Sequence, residues 1–153
     1  MCSYCGCESI DVIGRFMQEH VDIINAAGDL RRATDAGDPQ SVHTAATALR
    51  GLLDPHTVAE ESGLFTVLAE DDEFTDHVHD LCREHVALGQ LLDRIETGSH
   101  TILPAFEKML RLHIDREENG LFPAAAIAFA GPEWGRVTEL TPGPPVAPPV
   151  AAP

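Results

Sequence analysis

Four stretches of the chain carry apolar residues at alternating steps of three and four, the spacing that lines one face of an α-helix. In the first, Ile13, Met17, Ile24 and Ala27 share a face, and His20 falls in the gap where another apolar residue is due. In the second, Leu49, Leu53, His56, Glu60, Gly63 and Val67 follow one another at these steps. The third runs through Phe74, Val78, Leu81, His85, Leu88, Leu92 and Ile95, and the fourth through Leu103, Phe106, Leu110, His113, Glu117, Gly120 and Ala124. Punctuation falls between them. Ser9 is placed to cap the first helix, which runs to about Thr34. Gly37 follows its end, and Asp38 and Pro39 supply an N-cap and a first helical residue for the second, which reaches about Leu68. The acidic run Glu70–Glu73 opens the third helix, where it suits the positive end of the dipole. Gly98 ends that helix, Thr101 is the expected cap of the fourth, and Pro104 is tolerated in its first turn. Pro55 and Pro123 lie inside helical stretches, and the apolar phase passes through them unbroken, which predicts kinked but continuous helices.

Four long amphipathic segments with short connections predict an all-α, up-down-up-down four-helix bundle over residues 9–130. A Cys-rich segment, 1–8, precedes it. A disordered Pro/Gly-rich tail, 131–153, is expected after it, with Trp134 placed to pin its beginning to the bundle.

Composition agrees and narrows the partners. Hydrophobic residues make up 44% of the chain and aromatics only 5%, which favours Ala- and Leu-rich helices over sheets. The 25 acidic residues against 10 basic give a net charge of −15. Such a surface repels nucleic acid and anionic lipid, and neither is expected as a partner. No apolar run reaches the roughly 20 residues of a membrane span. The opening MCSYCGCES has no basic n-region and no apolar core, so a cytoplasmic protein with reduced thiols is expected.

The polar residues on the apolar seams carry the chemistry. His20, His56, His85 and His113 come one from each predicted helix, and Glu60 and Glu117 stand four residues after two of them. Residues four apart lie on one helix face, roughly 6 Å from each other. One imidazole and one carboxylate can then reach the same ion. The pattern occurs twice: His56–Phe65 (HTVAEESGLF) and His113–Phe122 (HIDREENGLF) agree at six positions, each preceded by Glu-His-Val, at Glu19–Val21 and Glu84–Val86. Four imidazoles and two carboxylates inside an apolar bundle are costly without a cation to bind them. Nitrogen and carboxylate donors on facing helices suit a pair of iron or manganese ions, whereas a closed structural zinc site uses four donors. Glu61, Glu118, Glu19 and Glu84 sit beside these ligands in sequence, either facing outward or accepting hydrogen bonds from them. His43, His77, His79 and His100 fall off the seams and are expected at the surface.

With its doubled HxxxE motif and two upstream histidines, the stretch from about Ile10 to Phe129 resembles the hemerythrin-like (HHE cation-binding) family of four-helix bundles with a non-haem di-iron centre. The resemblance implies two iron ions with an oxo or hydroxo bridge, His20 and His56 on one, His85 and His113 on the other, and Glu60 and Glu117 bridging. Oxygen-carrying members have a fifth histidine where this chain has Leu81, and an aspartate where it has Glu118. The symmetric set of four histidines and two glutamates is closer to the iron-sensing and iron-centre-repair branches.

These readings lead to an expected function. The centre would bind or react with a small oxidant or diatomic (hydrogen peroxide, nitric oxide or oxygen) in oxidative or nitrosative stress, as a catalase-, peroxidase- or nitric-oxide-reacting site. The alternative is a non-catalytic iron sensor or donor. Cys2, Cys5 and Cys7 form CxxCxC, a candidate second metal site or set of redox thiols, while Cys82 beside the third seam is read as a small core residue.

Overall fold

The computed structural model describes residues 10–144, and all regular structure among them is helical. Helix α1 spans Asp11–Ala36. Helix α2 covers residues 39–68 as three consecutive pieces: an α-helical run Pro39–Glu60, a π-helical turn Glu61–Phe65 and a last turn Thr66–Leu68. Helix α3 spans Asp72–Glu96. A 3₁₀ turn, His100–Ile102, leads into α4, residues 103–128, which repeats the design of α2: Leu103–Arg116, a π turn Glu117–Leu121, then Phe122–Ala128. The first four helices form the up-down-up-down bundle. A fifth, α5, spans Gly131–Leu140.

The expected punctuation largely operates. Gly37 adopts φ 73°, a left-handed conformation that closes α1 cheaply only as glycine. The Asp38 carboxylate accepts from the Ser41 backbone N–H at 3.0 Å, with Pro39 in the first turn. Asp71 caps α3 by accepting from Glu73 N–H at 2.9 Å. Thr101 does not cap α4: it lies within the 3₁₀ turn, and Ile102 holds the N-cap position without a side-chain bond. Ser9 lies outside the described residues. The helix runs on without interruption through Pro55.

Two expectations are corrected. The tail does not begin at 131, because α5 forms there: Pro132 sits in its first turn, Glu133 accepts from the Ala130 backbone N–H at 2.9 Å, and Val137 is fully buried. Trp134 packs edge-on to Phe129, centroids 5.2 Å apart, and Arg136 pairs with Glu70 across to the end of α2. Gly63 is required where α5 ends. A Cβ there would meet the Thr141 hydroxyl at 1.9 Å and its Cα at 3.2 Å. The second correction concerns the fourth seam. Gly120 and Ala124 are only partly buried, and Leu121, Phe122 and Ala125 are buried instead. A π turn holds one extra residue, so the apolar face past Glu117 slips by one position.

The core falls into two apolar clusters stacked along the bundle. One holds Ile13, Phe16, Leu64, Phe65, Leu81 and Phe122 among others. The other holds Ile23, Leu30, Leu49, Leu88, Leu92 and Phe106. His20, His56, His85 and Glu117 fall in sequence between members of the two clusters, so a polar layer is sandwiched between oily ones. Among the described residues no helix is long and apolar enough to cross a membrane.

Candidate metal centre

All six seam residues converge in that layer. His20 comes from α1, His56 and Glu60 from α2, His85 from α3, and His113 and Glu117 from α4. The two glutamates are fully buried, and none of these four histidines is more than 7% exposed. Each HxxxE pair spans one helical turn, which puts His56 Nε2 3.3 Å from Glu60 Oε1 and His113 Nε2 3.1 Å from Glu117 Oε1. Each carboxylate then reaches across. Glu60 Oε1 faces His56 and His20 (3.8 Å), while its Oε2 faces His85 at 3.3 Å. Glu117 Oε2 faces His20 at 3.1 Å, while its Oε1 faces His113 and His85 (3.8 Å). The donor atoms form two groups, His20–His56–Glu60–Glu117 and His85–His113–Glu60–Glu117, each within 4.8 Å. Both carboxylates belong to both groups.

The outer ring atoms are as strictly arranged. His56 Nδ1 lies 2.8 Å from Glu19, His113 Nδ1 2.8 Å from Glu84, His85 Nδ1 2.7 Å from Glu61 and His20 Nδ1 3.0 Å from Glu118. A carboxylate accepts only, so each Nδ1 carries the proton and donates it. Glu19 and Glu84 therefore serve the histidine on the neighbouring helix, not the one beside them in sequence. The second residue of each Glu-Glu doublet, Glu61 or Glu118, crosses to a histidine of the other half of the chain. Arg15 donates to Glu19 at 2.7 Å, and Arg116 pairs with Glu84. The repeated phenylalanine also has a place: Phe65 stacks on His85 and Phe122 on His20, with ring centroids 5.6 and 5.9 Å apart and planes 7° apart in both cases.

With every Nδ1 donating, a neutral ring turns a lone pair at Nε2 toward the carboxylate oxygens. The four Nε2 atoms and four carboxylate oxygens have no hydrogen-bond partner despite their closeness. Eight acceptors facing inward repel one another unless protons or cations stand between them. Over the ten glutamates and histidines and the two arginines, neutral rings leave a formal charge of −4, which two dications cancel. The donor set therefore fits a pair of cations.

Without metal, protons take that role. Burial alone would lower the pKa of His20, but Glu117 and Glu118 outweigh it and raise it to about 10. Burial likewise opposes His85, and Glu117, Glu60 and Glu61 push it up to about 11. Burial would raise Glu117, but His113, His20 and His85 hold it well below 4.5. A raised histidine stabilises the fold fully below its ordinary 6.5 and loses that contribution as pH climbs to its folded value. A depressed glutamate stabilises above 4.5 and loses its contribution as pH falls below that. Metal-free protein is thus expected to be most stable between about pH 4.5 and 6.5 and to weaken steadily toward pH 10. Metal uptake displaces the ring protons, so it should release protons and tighten as pH rises. Thermal melts of metal-free protein across this range check it; a melting temperature that climbs between about pH 6.5 and 9 contradicts it.

The bystander histidines divide. His43 and His79 are exposed as expected, but His77 and His100 are half-buried. His77 Nε2 is buried without a partner, and burial and Arg116 lower its pKa. It sits over Gly120, where an added Cβ would lie 3.7 Å from its ring, outside the two donor groups. Cys82 is a half-buried free thiol. Cys2, Cys5 and Cys7 lie outside the described residues.

No curated protein and no solved structure matches the chain at a significant level. The family model of the hemerythrin HHE cation-binding domain does match, over residues 11–125, a span that contains all six inward-facing donors and all four outer carboxylates. With its helical bundle and its doubled His/Glu set, the chain belongs to the hemerythrin HHE cation-binding domain family.

Proposed function

We propose that the protein holds two iron ions, one between His20 and His56 and one between His85 and His113, with Glu60 and Glu117 shared, and that this centre binds or reacts with hydrogen peroxide, nitric oxide or oxygen in oxidative or nitrosative stress. The observation that carries the reading is the sharing of both carboxylates by two four-donor groups. It leaves each ion four protein donors, fewer than the five or six that iron with nitrogen and carboxylate ligands accepts. When bound, such a pair supplies one-electron redox chemistry and coordination positions open to a small molecule.

The chain's own residues do the rest. Glu19, Glu61, Glu84 and Glu118 hold the Nδ1 protons, fixing each ring's tautomer and aiming its Nε2 inward. Phe65 and Phe122 cover two of the rings. The two apolar clusters exclude bulk water above and below, which strengthens the field at the carboxylates.

Optical spectra of iron-loaded protein during anaerobic addition of nitric oxide, and separately of peroxide, test the reading. A rapid spectral change with either, reversed on removal or consumption of the reagent, is expected. Iron-loaded protein that keeps its spectrum through both additions, or releases its iron without consuming either, contradicts it.

A further inference from the structure

The internal repeat makes the halves of the bundle comparable residue by residue: His56 corresponds to His113, Glu19 to Glu84, Phe16 to Leu81, Leu52 to Met109 and Pro55 to Leu112. The surroundings of the rings are not equal. His20 and His85 lie flat against Phe122 and Phe65, and the edge of Phe16 covers His56 at 5.6 Å. Among the described residues His113 has no phenylalanine against it, because Leu81 stands where Phe16 stands in the other half.

The surface cavities differ in the same direction. Beside His56, a cleft touching Glu19, Leu52 and Pro55 offers about 30 Å³, room for about one water molecule. Beside His113, between α3 and α4, the corresponding cavity offers about 320 Å³. Its wall is Glu84, Ala105, Lys108, Met109, Leu112 and His113. Glu84 is engaged by His113 and Arg116, so the passable surface is chiefly Ala105, Met109 and Leu112. Leu112 is 56% exposed at the mouth. Met109, unbranched and half-buried, can swing aside.

We propose that a small uncharged molecule reaches the centre through this cavity, past Met109 and Leu112 to the His113 ring, and that these two side chains decide what passes. The inference rests on the proposed ligand-reactive centre and assigns its approach to one of two otherwise equivalent faces. An apolar throat in a protein of net charge −15 disfavours anions, and Lys108 beside it disfavours cations. Uncharged diatomics suffer neither penalty.

Stopped-flow mixing of nitric oxide with ferrous-loaded protein tests it. Met109→Trp and Leu112→Trp should slow association at least about ten-fold, with iron content and the final spectrum unchanged. Met109→Ala should leave association as fast or faster, and Leu52→Trp, on the equivalent face, should stay within about two-fold of wild type. Association as fast in both tryptophan variants as in wild type, or equal slowing by Leu52→Trp, overturns the proposal. Xenon titration of metal-free protein, followed by methyl NMR, reads the cavity without iron. Xenon should shift Met109 and Leu112 in the wild type and leave Met109 Cε unperturbed in Leu112→Trp. Methyls that ignore xenon in the wild type overturn the route even if nitric oxide binds. A xenon response in metal-free protein whose iron-loaded form ignores both nitric oxide and peroxide supports the cavity and sinks the functional reading instead.

Discussion

Replacing Glu117 by alanine is expected to reduce retained iron from about two ions per chain to fewer than one, a loss that only the other shared carboxylate, Glu60, should match. Glu117 contributes to both donor groups, and its two oxygens face different histidine pairs. Its removal leaves each group three donors and leaves the carboxylate of Glu60 alone among four imidazoles. Glu118→Ala, one residue on, is the informative partner. It removes the acceptor at His20 Nδ1 and spares the inward donors, so affinity should fall about 10–100-fold while two ions still bind at saturation. Elemental analysis after gel filtration, with and without excess ferrous iron, separates the two outcomes. Glu117→Ala protein retaining two tightly bound irons contradicts the shared-carboxylate reading.

Phe122→Ala is expected to cost about 3–5 kcal/mol of folding stability in the metal-free protein. The ring is fully buried, stacks on His20 and lies 6.2 Å from Phe16. It also follows the π turn that realigns α4, so a void there cannot be filled by sliding the helix. Ile127→Ala, at a residue 87% exposed on the same helix, should change stability by no more than about 0.5 kcal/mol. Denaturant titrations compare the two. A loss below about 1 kcal/mol for Phe122→Ala would mean that the site layer, and not the apolar packing around it, organises this end of the bundle.

The four helices and the six inward donors could be read from the sequence because both follow from one periodicity. A histidine or glutamate on an apolar seam is placed by its neighbours, and the repeat supplied the same evidence twice. The slip past Glu117 could not be read, since a π turn leaves no mark in a three-four pattern except that Leu121 and Ala125, not Gly120 and Ala124, become buried. The outer carboxylates were half legible. The Glu-His and Glu-Glu doublets put acids next to ligands, but which ring each serves depends on the helix opposite, as the pairing of Glu19 with His56 shows. Helix α5 was hidden by the Pro/Gly composition around it. Pro132 in a first turn starts a helix instead of breaking one, and Val137 supplies the burial that holds it. His77 lies off the seam and so reads as a surface residue, yet its ring is half-buried beside Gly120.

Whether the bundle carries one centre of two ions is tested most directly by anaerobic titration of metal-free protein with ferrous iron. Bound iron per chain should rise to a break at about two equivalents, and both equivalents should be lost together in Glu117→Ala. A break at one equivalent, or a preference for a single zinc that excludes iron, would contradict the account.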